Sequence, residues 1–226
     1  MITENKVIYL SEMLSFWQQL SHGEKEEIIT KSQLMHYEKG EIVHTKQAEC
    51  TGVLVVVEGA FRSYIAAPNG REITLFELYE RDVCMLSAAC AFRNITYDIN
   101  LMATEKSIAI LVDSATFKAL AQQNHYAMAF LLELTQDKLS EILYTLEQAV
   151  FFPLDQRIAN YLYEQYKTVN SKELYLTHEM IANHLGSSRE VISRILKKFE
   201  EENIVTLSRG RMTLMDIAKL LEKRSS

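Results

Sequence analysis

The segment LTHEMIANHLGSSREVISRILKKFEEENI, Leu176 to Ile204, constrains the fold more than any other part of this 226-residue chain. Thr177 is a good N-cap for a short helix running to about Leu185. Ile181 and Leu185 point inward, and Ala182 is small, as a close helix crossing requires. Gly186 ends that helix because glycine takes a left-handed turn at little cost. Ser187-Ser188-Arg189-Glu190 has the S-x-x-E spacing of a capping box, which starts a second helix. In that second helix Val191, Ile192, Ile195, Leu196 and Phe199 face a core, while Ser188, Arg189, Glu190, Ser193, Arg194 and Lys197 face out. The stretch IVTLSRGRMTL then alternates around Arg209-Gly210 and predicts a β-hairpin with Arg209 and Arg211 near its tip.

A helix, a tight turn and a second helix with a basic outer face suit double-stranded DNA. Arg can give two parallel hydrogen bonds to guanine O6 and N7, and Glu can accept from the cytosine amino group. Arg189, Glu190 and Arg194 occupy the first two turns of the second helix, where such a helix enters the major groove. Thr177, Ser187 and Ser188, with Arg209 and Arg211 on the hairpin, suit phosphates. The competing reading is a solvated helical hairpin with its charges outside. The net charge of −6 at first argues against DNA, but it is unevenly spread. From Leu154 onward there are 12 Lys+Arg against 10 Asp+Glu, or +2, leaving 12 against 20, or −8, for the rest. Screening limits the reach of the distant acidic part to about 8–10 Å.

The remaining texture divides the chain in three. Residues 11–31 carry Met13, Leu14, Trp17, Leu20, Ile28 and Ile29 at helical spacing. Between Gln33 and Val112 come short strand-like runs (EIVHT, GVLVVVEGAFRSYIAA, EITLFEL, YDINLMA, SIAILV). Lys39-Gly40, Glu58-Gly59 and Pro68-Asn69-Gly70 punctuate them, as in a sandwich or barrel. Then Met128, Leu132, Thr135, Leu139, Ile142, Leu146 and Ala149 repeat at spacings of 4 and 3, a heptad seam. A second set, Leu131, Leu134 and Leu143, lies beside it and suits packing on the strand region. The seam fits either a helix buried in one core or a parallel coiled coil between two subunits. Pro153 ends the helix. The expected boundaries are therefore 1–123, 124–152 and 153–226, with a hinge at Phe151–Asp155 and a further helix over Leu154–Lys167 whose Ile158, Tyr161, Leu162 and Tyr166 point inward.

With 48 % hydrophobic residues, 2 Pro and 7 Gly, the chain supports a packed core and has no long disordered tract. No run of apolar residues is long enough for a membrane span, and the N-terminus does not read as a secretion signal. Three Cys fit a reducing cytoplasm better than a disulfide framework.

The segment GSSREVISRIL, Gly186 to Leu196, resembles the recognition-helix pattern of the Crp/Fnr family, the cyclic-AMP receptor protein superfamily, and the likeness runs over nearly the whole chain. The resemblance implies an α+β fold: an N-terminal double-stranded β-roll of the cyclic-nucleotide-binding kind, a long dimerisation helix and a C-terminal winged helix-turn-helix. It implies a homodimer through the seam, a palindromic DNA site, RNA polymerase as a partner and an unidentified small-molecule effector sensed in the β-roll. It makes Arg189, Glu190 and Arg194 the base readers, with Ser193 where some members also read a base, and half-sites resembling TGTGA.

The departures from the family pattern are as informative. Met85-Leu86 stands where a cyclic-nucleotide phosphate cassette has Gly-Glu, and Tyr97-Asp98 where it has Arg followed by Ser or Thr. An Asp repels a phosphate. Ile142 and Leu143 replace the hydroxyl pair that holds adenine, so cyclic AMP is not expected to bind tightly. No Cys precedes Cys50, which argues against a four-iron cluster. Cys84 and Cys90 suit a redox switch, a metal or haem ligand, or plain buried packing; with Tyr97 and Asp98 they are the candidate effector residues. Two alternatives remain: a regulator with a vestigial pocket, controlled by its abundance, and a β-barrel enzyme with a DNA-binding tail. Barrel metalloenzymes need several His, and EIVHTKQAECTGVLVVVEG supplies His44 alone, so no enzyme is expected.

Overall fold

Five consecutive apolar residues, Val53–Val57, cannot alternate between core and solvent, so their strand must be covered on both faces. The computed structural model describes residues 2–44, 52–84 and 99–225 and shows how this is done. Strands β1 (Ser32–Tyr37), β3 (Val53–Glu58), β6 (Val83–Cys84) and β8 (Ser107–Val112) form a sheet of order β1-β8-β3-β6. Val53, Val55 and Val57 of β3 pack on Leu10, Leu14, Trp17, Phe117 and Phe130, on the helical side. Leu54 and Val56, pointing the other way, meet Phe61, Phe76, Leu78, Leu101 and Ala103. Those come from β4 (Phe61–Ala66), β5 (Glu72–Leu78) and β7 (Asn100–Ala103), which with β2 (Ile42–His44) make a second sheet of order β2-β7-β4-β5. Two facing antiparallel sheets fit the sandwich or barrel that the punctuated strand runs predicted, and form the β-roll that the family resemblance implied. Gly59 makes the β3–β4 turn possible: its φ is +85°, and a Cβ there would run into the Ser107 hydroxyl and the Lys106 carbonyl.

Three helices and the first turns of a fourth cover the outer side of the first sheet. Helix α1 (Ile2–Met13) starts earlier than the sequence periodicity indicated, and α2 (His22–Thr30) opens on a capping box. In it the Ser21 N–H donates to Glu24 at 2.7 Å and the Glu24 N–H donates to the Ser21 hydroxyl at 3.3 Å. Helix α3 (Ser114–Gln123) breaks at Asn124, whose Oδ1 then accepts from the Tyr126 and Ala127 N–H groups at 3.0 and 3.3 Å. That starts α4 (His125–Phe151), a 27-residue helix.

Along α4 one stripe is left uncovered. Met128, Leu132, Leu139 and Leu146 are 42–57 % exposed, and Thr135 is exposed with them. Two positions depart from the heptad reading. Ile142 is half-buried against the inter-sheet cluster, while Leu143, expected to face the strands beside Leu131 and Leu134, is 54 % exposed. Beyond Leu139 the stripe runs through Leu143, Leu146 and Val150. The cause is geometric: at 3.6 residues per turn a heptad row drifts by about 20° each repeat, so two repeats carry Ile142 off the face that Met128 started on.

The compact units divide between Ile142 and Leu143, and the second holds residues 66–74 and 143–226. Helix α5 (Leu154–Val169) begins after Pro153 and buries Ile158, Tyr161 and Leu162. It packs with β9 (Glu173–Leu174), α6 (His178–Leu185), α7 (Arg189–Glu201), the hairpin β10 (Val205–Ser208) and β11 (Arg211–Leu214), and α8 (Ile217–Ser225). Strand β9 pairs with β11, which makes a three-stranded sheet of order β10-β11-β9.

Candidate nucleic-acid interface

The two halves of the Leu176–Ile204 segment cross because their inner faces are apolar and fully buried. Ile181, Ala182 and Leu185 of α6 meet Ile192, Leu196 and Phe199 of α7, each less than a tenth exposed. Thr177 caps α6, its hydroxyl accepting from the Met180 N–H at 3.1 Å. Gly186 ends it in a left-handed conformation with φ +71°, and the Ser187 N–H closes on the Ala182 carbonyl at 3.0 Å. Ile73 bridges to Leu185 at this turn.

The start of α7 is not the capping box that the S-x-x-E spacing suggested. Ser187 is spent on the turn, so Ser188 adopts the extended cap conformation (φ −96°, ψ 151°) and accepts from the Val191 N–H at 3.4 Å. That puts Glu190 one place short of the reciprocal position. Its carboxylate instead bonds its own backbone N–H and the Ser188 hydroxyl, which hold it below the usual carboxylate range. It is ionised and exposed beside Arg189.

Arg189, Glu190, Arg194 and Lys197 all stand on the outer side of α7, as their spacing predicted, and Lys198 joins them there. Ser193 does not stand free: its Oγ lies 2.7 Å from His178 Nδ1. On the hairpin, Arg209 is exposed in the turn before Gly210 (φ +76°). Arg211 is turned back from the tip, its guanidinium on Glu173 of β9 at 2.6 Å.

Two residues missed in the sequence shape this surface. Arg157 of α5 donates to the Leu185 carbonyl at 2.7 Å, which satisfies the buried C-terminal end of α6. His178 links α6 to the outer side of α7. Neither carries a local signature, since their partners lie 28 and 15 residues away.

A Crp-like helix-turn-helix domain model matches residues 156–223, and a cyclic nucleotide-binding domain model matches residues 34–124. A transcriptional regulator of the Crp/Fnr family from Eubacterium rectale superposes with a TM-score of 0.91 at 35 % sequence identity, covering 96 % of this chain and 100 % of that one. The chain belongs to the Crp/Fnr family. FixK2 from Bradyrhizobium japonicum shares the fold at 19 % identity, with a TM-score of 0.71 over 86 % of this chain and 98 % of its own. The HTH-type transcriptional regulator ArcR of Staphylococcus epidermidis is 25 % identical over 186 residues, 75 % of this chain and 76 % of that relative.

This Crp/Fnr member is therefore a DNA-binding transcription regulator and not an enzyme. Of the candidate effector residues, Cys84 is buried in β6 opposite Leu54, within the inter-sheet cluster. Cys90, Tyr97 and Asp98 lie outside the described residues, as do Cys50 and Met85-Leu86. Within the described residues no helix is long and apolar enough to cross a membrane.

Proposed function

We propose that this regulator is a homodimer that lays α7 of each copy into the major groove of a palindromic DNA site, under control of an effector sensed in the β-roll. One observation carries the reading: α7 buries one face completely and leaves Arg189, Glu190 and Arg194 exposed over its first two turns. Arg189 and Arg194 are fitted to guanine. The ionised Glu190 is fitted to the cytosine amino group. Thr177 and Ser187 suit phosphates: the Thr177 hydroxyl caps α6 through its oxygen and keeps a proton to donate, and Ser187 is tied into the turn by its backbone N–H and not by its hydroxyl. The Ser188 hydroxyl already serves both Val191 and Glu190, so its share is smaller.

The exposed α4 stripe supports the dimer. From Met128 to Val150 it is about 33 Å long at 1.5 Å per residue, and a second copy about a two-fold axis covers it with its own apolar residues. Such a pair presents two α7 helices, as half-sites one helical turn apart require. RNA polymerase, in the cytoplasm, is the partner the family implies.

For the effector, Ser63 of β4 supports the β-roll. It shares a strand face with Phe61 of the inter-sheet cluster, it is fully buried, and its hydroxyl has no partner among the described residues. Cyclic AMP is not that effector: the aliphatic Ile142 and Leu143 offer adenine no hydrogen bond. Calorimetric titration should give no dissociation constant in the low micromolar range or below; such a value overturns this exclusion.

Selection of bound DNA from a random pool tests the main reading, and a palindromic consensus is the expected product. On that consensus Arg209→Ala should weaken binding about equally for matched and mismatched DNA, and lower the salt slope of the dimer by about 2, roughly 1 for each copy.

A further inference from the structure

A serine hydroxyl is an ambiguous reader, because it rotates and can donate or accept as its neighbours require. For Ser193 of α7 a side chain from α6 removes that ambiguity. We infer that His178 sets base preference by holding the Ser193 proton turned inward, so that Ser193 offers the major groove an acceptor and no donor. This rests on the proposed docking of α7 in the groove.

The geometry is a contact between the two helices of the motif. His178 stands in the first turn of α6 and Ser193 in the second turn of α7, with 2.7 Å between Nδ1 and Oγ and both side chains partly buried. The ring sits near the partial positive charge of the α6 N-terminus and close to the Arg189 guanidinium. Burial first, and the Arg189 charge second, lower its affinity for a second proton. In this proposal the neutral ring keeps its proton on Nε2 and presents the Nδ1 lone pair to Ser193. The Ser193 O–H then donates to Nδ1, and the lone pairs left on Oγ point away from the ring. Cytosine N4 and adenine N6 carry amino groups that such an acceptor can bind, whereas guanine O6 and thymine O4 are acceptors and are refused. His178 touches no base in this arrangement. It is a positioning residue that acts through Ser193.

The test uses the full-length protein and the selected DNA site, with each base pair of one half-site varied in turn and affinity read by fluorescence anisotropy. The wild type should prefer cytosine or adenine at the base pair beneath Ser193. His178→Ala frees the hydroxyl, and that preference should fall about three- to tenfold while the preferences read by Arg189 and Arg194 stay. His178→Asn, whose amide oxygen can stand where Nδ1 stood, should restore it. Ser193→Ala should flatten the same base pair and leave His178→Ala with no added effect. If His178→Ala fails to fold in a thermal melt, the other two variants decide. A Ser193→Ala protein with the full preference, or a His178→Asn protein without it, overturns the proposal. A loss spread evenly over all base pairs in His178→Ala also overturns it, since that marks a merely structural role. Failure of the groove-docking reading looks different: the wild type would then show no preference at any base pair, and Arg189→Ala would change none.

Discussion

Leu139→Asp is expected to convert the protein into a monomer and abolish tight binding to a palindromic site. Leu139 lies at the middle of the exposed α4 stripe, with Leu132 and Met128 before it and Leu143, Leu146 and Val150 after it. A two-fold axis along this stripe brings both copies of Leu139 to the same place, so one substitution acts twice. Losing two buried leucines removes about 3–6 kcal/mol of association free energy. Enclosing two carboxylates side by side costs more. At 1.4 kcal/mol per tenfold, the dimerisation constant should fall by about 10²–10⁴ or more. Sedimentation velocity at micromolar protein should show the change directly, with the thermal melt of the monomer still cooperative, because Leu139 supports neither core. Glu133→Ala, exposed on another side of α4, should leave the dimer intact. A Leu139→Asp protein that still sediments as a dimer would place the interface elsewhere.

Arg189→Ala should erase discrimination at one base pair of each half-site. The side chain is exposed at the first position of α7. A good two-pronged contact to guanine is worth roughly 1–3 kcal/mol against a wrong base, so a symmetric dimer loses about 2–6 kcal/mol on its matched site. Affinity for mismatched DNA should change much less, and competition between matched and scrambled duplexes measures the difference. Arg209→Ala supplies the contrast, since a phosphate contact carries no sequence information. If both variants lose matched and scrambled binding in equal measure, the division into base readers and phosphate holders is wrong.

Two S-x-x-E spacings in this chain show what can be read locally. At Ser21–Glu24 the spacing makes a true capping box. At Ser187–Glu190 the same spacing is present and the box is absent, since the preceding Gly186 turn takes Ser187 and moves the cap to Ser188. The motif is a statement about backbone conformation, and the tightness of the turn before it decides which serine receives that conformation. The α4 seam behaves alike. Its spacing identified an apolar row, but a straight helix drifts from a heptad, and only the packing of Ile142 on the inter-sheet cluster shows where the row turns.

Taken alone, the amino-acid order carried no signal for β9 and α8, but it determined the central strand region, the long helix, where the helix-turn-helix and its hairpin lie, and which side chains of the second helix point outward. These follow from period, caps and turn residues within a few positions of one another. The tertiary structure decided that Arg211 is held by Glu173, that Arg157 satisfies the end of α6, that Leu143 rather than Ile142 is exposed, and that Ser193 has His178 for a partner. Each depends on how helices and strands cross, which brings together side chains far apart in the chain and leaves no periodic trace in it.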